Sequence, residues 1–242
     1  VTNRTPKITM PSPPTMHFWR GRQTIAPGAY PDEEAYFADL ALVYRAEIAD
    51  LAARGCRYIQ IDEVPLAMLC DPQVRDRIAA NGEDPERLVH RYLALINACV
   101  GDRPAELTLG LHLCRGNHKG QWLSEGGYDS VAELLFNEAA VDAFFLEYDT
   151  DRAGGFEPLR HLPANRVAVL GLVSTKVPEL EPVDGLARRV DAAARFAPLD
   201  NLAISPQCGF SSSLGGNPIT TNDQRRKLER VVQTAKQVWG SP

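Results

Sequence analysis

His112 and Cys114 stand two residues apart at the end of the apolar run 107–112. On an extended chain, positions i and i+2 face the same side, so this imidazole and thiolate can grip one metal ion. Glu147 closes Phe144-Phe145-Leu146-Glu147-Tyr148, an apolar strand ending in a carboxylate that is costly to bury without a partner. Cys208 follows the run ending Ile204-Ser205, within Ser205-Pro206-Gln207-Cys208-Gly209-Phe210. One imidazole, two thiolates and one carboxylate suit tetrahedral zinc. His-x-Cys alone is a common pattern. Its weight here comes from four such groups, each placed where a strand runs out. Taken singly, each also has a plain structural use: His112 hydrogen-bonded, a cysteine as a small buried hydrophobe, Glu147 ion-paired with Arg152.

The elements that must carry these groups alternate along the whole chain. Short, nearly continuous apolar runs at 7–10, 58–62, 106–112, 143–148, 167–172 and 202–205 have the pattern of strands buried on both faces of a parallel sheet. Helical patterns fit 32–54, 71–80, 84–99, 130–138, 182–195 and 222–238. In the first of these, Tyr36, Leu40, Val43, Ala46 and Leu51 are expected near the buried face, with Gly55 as the stop. The βαβα order predicts an α/β fold with right-handed crossovers, as one domain over 1–242. Strand ends in a closed (β/α)8 barrel converge on one face, which would gather the four metal-binding candidates. Only six strands are legible, whereas such a barrel needs eight. The chain opens on Val1, so the first two βα units are expected to precede it. An open doubly wound sheet would also take six strands, but the glycine-rich phosphate fingerprint is absent.

Composition narrows the classes. Of 242 residues, 44% are hydrophobic and 24% charged, which excludes a disordered or fibrous chain. No run reaches the roughly 18 apolar residues of a membrane span, so no membrane association is expected. The net charge of -5, without a basic cluster, argues against nucleic acid. Five cysteines without a secretory segment argue against a disulfide scaffold and for the cytoplasm. Cys56, Cys70 and Cys99 sit among apolar helix residues and read as packing.

Three segments carry a resemblance: Tyr58-Ile59-Gln60-Ile61-Asp62-Glu63, Leu111-His112-Leu113-Cys114-Arg115-Gly116-Asn117 and the stretch around Cys208. Together they resemble the catalytic barrel of cobalamin-independent methionine synthase, especially its short single-barrel members. The resemblance implies a (β/α)8 TIM barrel and a zinc-dependent methyltransferase of methionine biosynthesis. It implies His112, Cys114, Glu147 and Cys208 as zinc ligands. It also implies Asp62 as the carboxylate that holds the homocysteine amino group, with Glu63 and Ser174 in the substrate site. Trp19, four residues after Thr15 of Ser12-Pro13-Pro14-Thr15, matches the aromatic residue that stacks on the folate pterin. The alternative for Asp62 is a strand-end cap or ion pair, and for Trp19 ordinary packing.

The chain departs from the family at one point. Where methionine synthases carry a His–Ser pair that protonates the leaving group, it has Leu172-Val173-Ser174-Thr175, and Val173 cannot move a proton. Either another acid serves or the electrophile differs from a methylated folate. The expected chemistry is a substrate thiol held as thiolate by zinc and attacking an alkyl carbon. Two cysteine ligands make the metal electron-rich, which disfavours a zinc hydrolase. Two alternatives stand beside methyl transfer. One is thiol alkylation of the epoxyalkane–coenzyme M transferase type, for which a basic residue should replace Asp62 in function. The other is a non-catalytic barrel closed around structural zinc. Expected partners are a small thiol and a methyl or alkyl donor. Oligomeric state is not legible, although missing strands would leave edges that invite pairing.

Overall fold

The computed structural model describes residues 3–212 and 214–240. Six strands form one parallel sheet in simple chain order: β1 (Ile8–Pro11), β2 (Tyr58–Glu63), β3 (Thr108–Leu113), β4 (Ala143–Glu147), β5 (Val167–Val173) and β6 (Leu202–Pro206). The order never reverses, so there is no switch point of the doubly wound kind. Among the described residues β1 and β6 each have one strand partner.

Helices fill the crossovers: α1 (Thr15–Phe18) and α2 (Glu33–Ala53) after β1, and α3 (Pro65–Met68), α4 (Pro72–Ala80) and α5 (Pro85–Val100) after β2. Then come α6 (Ala132–Glu138) after β3, α7 (Val183–Ala193) after β5 and α8 (Thr221–Trp239) after β6. Their starts are written in the sequence. Asp71 and Asp84 cap α4 and α5, each followed by a proline that gives up no needed N–H. Thr220 and Asp223 form a reciprocal capping box on α8.

All six expected strands and the six expected long helices are present. The buried face of α2 agrees with the expectation in part: Tyr36, Leu40 and Leu51 are half-buried against the core, but Phe37, Ala41, Tyr44, Ile48 and Ala52 turn fully inward and Val43 is 58% exposed. This helix is apolar around much of its circumference, so several stripes fit the 3.6-residue period. Packing of the Phe37 and Tyr44 rings selects one of them.

Register places the two faces of the sheet. Ile61, Leu111, Phe144, Ala168 and Leu202 lie in one row and are all buried in the hydrophobic core with the helices. The next row is Asp62, His112, Phe145, Val169 and Ala203, on the opposite face. Lys7 Nζ lies 4.1 Å from the Phe145 ring centroid and donates to Gln60, which fixes these side chains to that same face. The metal-binding candidates therefore share the face turned away from the helical layer.

Candidate metal centre

Two-residue alternation brings His112 to this face, sends Leu113 to the core, and returns Cys114 just past the end of β3. Cys208 arrives from the far edge of the sheet, two residues beyond β6. Its approach is fixed by Gln207. The Gln207 N–H donates to Val173 O at 2.8 Å, and its Oε1 accepts from both Thr175 N (2.9 Å) and Thr175 Oγ1 (2.7 Å). Gly171 makes room for this crossing: a Cβ there would stand 2.7 Å from Gln207 Cα and 2.8 Å from Leu146 O.

The outcome is a trio. The ligand atoms of His112, Cys114 and Cys208 all lie within 4.8 Å of one another, with His112 and Cys114 buried and Cys208 half-buried. The Cys114 hydrogen bond, outweighing burial, pulls the Cys208 thiol well down, and His112 adds to the pull. Cys114 is pushed up in turn, first by that shared hydrogen bond and then by burial. Burial alone would lower His112, but Cys208, Asp62 and Glu147 together raise it. One imidazole nitrogen and two cysteine sulfurs within reach of one another are the donor set of a soft divalent metal, and zinc, which takes neutral histidine and thiolate ligands, fits them. By contrast, burial pushes Cys70 up to about 11 and Cys99 to about 12, as expected for packing cysteines.

The remaining candidates are distributed unevenly. Asp62 stands beside His112 in register, and its carboxyl is raised by burial against the counter-pull of Gln60 and His112. Gln60 Nε2 donates to Asp62 Oδ1 at 2.6 Å, and its own oxygen accepts from Lys7. Glu63 does not join the site. It is the next residue of β2, so it faces the helices, fully buried, and accepts from Leu66 N at 2.8 Å. Trp19 lies just beyond α1, 53% exposed, with Phe18 edge-on at 5.4 Å. Ser174 is buried, and its Oγ donates to Asp149 Oδ2 at 2.9 Å.

Glu147 is engaged by neighbouring cations, close enough to the trio to act on His112 and Cys114. It is fully buried at the end of β4 but outside the trio. Its Oε1 accepts from Lys176 Nζ at 2.9 Å and from Arg152 Nη2, and its Oε2 accepts from Arg115 N at 2.6 Å. Burial alone would raise its carboxyl; Lys176 and Arg152 overcome that and lower it. Sequence reasoning had foreseen the Arg152 pair but missed Lys176, Asp149, Arg115 and Gln207. A lysine three residues past the wholly apolar β5 was the one available signal.

A model of the family described as "Cobalamin-independent synthase, Catalytic domain" matches residues 19–237. The chain belongs to this family. An uncharacterized Bacillus subtilis protein, YxjH, is 42% identical over 238 residues, covering 98% of this chain and 62% of its own. A methionine synthase of Pyrococcus abyssi is 26% identical over 98% of this chain and 57% of its own. The chain thus spans under two thirds of these relatives' length. The crystal structure of a putative vitamin-B12-independent methionine synthase from Listeria monocytogenes superposes with a TM-score of 0.76 at 31% identity, over 100% of this chain and 66% of that one. No helix among the described residues is long and apolar enough to cross a membrane.

Proposed function

We propose that this family member is a zinc-dependent thiol alkyltransferase, with a homocysteine-like thiol as acceptor and a methyltetrahydrofolate-like molecule as methyl donor, serving methionine biosynthesis. The observation that carries the reading is the convergence of His112, Cys114 and Cys208 from opposite regions of one sheet. The six parallel strands would supply six of the eight units of a (β/α)8 barrel. All five cysteines are unpaired, in keeping with a cytoplasmic setting.

His112, Cys114 and Cys208 would hold the metal. Bound there, zinc supplies a means of keeping a substrate thiol as thiolate at neutral pH, where a free thiol is mostly protonated. The protein's own groups do the rest. Asp62, steadied by Gln60, offers an anion to a substrate ammonium beside His112. That favours an amino-acid thiol over a sulfonate. Trp19 presents an exposed ring on which a pterin could stack. Val173 is buried and carries no proton, so donor activation falls to another group of the site.

Two variants test the reading. Cys208→Ser should lose both bound zinc and thiol alkylation, whereas Cys99→Ser should keep both. Full zinc content and activity in Cys208→Ser would refute the assignment.

A further inference from the structure

The face of the sheet that carries Asp62 also holds an ammonium that the thiol chemistry does not use. Lys7 stands one residue before β1, on the side of the sheet shared by Tyr58, Gln60 and Asp62. Its Nζ lies 4.1 Å from the Phe145 ring centroid and 5.7 Å from that of Tyr58. Both rings attract the cation and fix where it sits. The Phe145 ring has room there because β3 sets Gly110 opposite Gln60: a Cβ at position 110 would stand 2.6 Å from Phe145 Cε2.

Gln60 connects this ammonium to Asp62. It is 8% exposed, its Oε1 accepts from Lys7 Nζ, and its Nε2 donates to Asp62 Oδ1 at 2.6 Å. Chemistry dictates both ends of the amide. Lysine carries donors only, so it faces the amide oxygen; an ionised carboxylate carries acceptors only, so it faces the amide nitrogen. Among the described residues no other group hydrogen-bonds the Asp62 carboxylate, which leaves Oδ2 for a ligand. Without Lys7, Gln60 would keep one anchor instead of two, and its long side chain and the carboxylate would be free to turn.

We propose that Lys7 is a positioning residue which, through Gln60, aims the Asp62 carboxylate and so sets the preference of the site for a thiol that carries an ammonium. This rests on the assignment of Asp62 to the substrate amino group.

The test is thiol binding to the zinc-loaded full chain by calorimetry. It compares homocysteine with 4-mercaptobutyrate, the same thiol without the amino group, and circular dichroism confirms the fold. A charge-assisted hydrogen bond to Asp62 should give wild type a preference of about tenfold or more for homocysteine. Lys7→Met should cut that preference by about threefold or more and leave the affinity for 4-mercaptobutyrate unchanged, whereas a merely structural loss would weaken both thiols alike. Gln60→Leu should match it, and the double variant should lose no more than either single change, because the two residues act in series. Lys7→Arg, whose guanidinium also donates and stacks on rings, should restore the preference. Asp62→Asn should abolish it. An unchanged preference in Lys7→Met, or an equal fall for both thiols, would overturn the proposal. If Asp62→Asn still abolishes the preference in that case, the Asp62 assignment stands and only the role of Lys7 fails. If Asp62→Asn keeps the preference, or wild type shows none or binds neither thiol, the Asp62 assignment fails and takes the role of Lys7 with it.

Discussion

At the scale of single residues, neighbours decide chemistry more than residue type does. Cys99 and Cys208 are both unpaired cysteines, yet burial pushes one up and a thiol–imidazole pair pulls the other down. Glu63 gives the sharpest stability prediction. Burial raises its carboxyl to about 7, against the partial relief of Ser12 and Leu66 N. Its pKa is higher folded than unfolded, so the native state binds more protons between about pH 4.5 and 7, and this group's contribution to stability falls as pH rises through that window. Glu63→Gln should therefore match wild type near pH 4 and exceed it at pH 8 by a margin on the order of 3 kcal/mol in urea unfolding. A difference that does not change with pH would contradict this. The same residue shows what sequence could and could not tell. Two-residue alternation correctly joined His112 to Cys114, and it also sends Glu63 away from the face that Asp62 occupies. The hold on Glu147 was hidden because Lys176 is 29 positions away and meets it only through the β4–β5 register.

At the scale of elements, the trio depends on how β6 leaves the sheet. β5 shifts register between Gly171 and Val173, and Gly171 lets Gln207 pass close over it. Gly171→Ala places a Cβ against backbone on two sides, which should cost about 1–3 kcal/mol as overpacking does. It should also displace Cys208 and weaken zinc binding. Thr220→Ala removes the α8 cap and should cost about 1 kcal/mol while leaving zinc binding intact. Equal zinc affinity in the two variants would detach Gly171 from the metal site. The strands and long helices were legible, because most strands are nearly continuous apolar runs and α2, α4, α5 and α8 open on capping side chains, whereas the one-turn helices α1 and α3 carry no such signal. The buried side of α2 was legible only in part, since Leu42 and Val43 are as apolar as the residues that turn inward.

At the scale of the molecule, parallel strands in unbroken order bring β3 and β6 ends onto one face, although Cys208 lies 96 positions after His112 in the chain. No local motif contains this site; the topology makes it. The six-strand order was readable from βα alternation. Zinc-edge X-ray absorption, recorded with and without homocysteine, tests the central claim most directly. The account predicts two sulfur neighbours and one imidazole at rest, and a third sulfur replacing a light atom once the thiol is added. A coordination shell unchanged by the thiol, or one holding fewer than two sulfurs at rest, would contradict it.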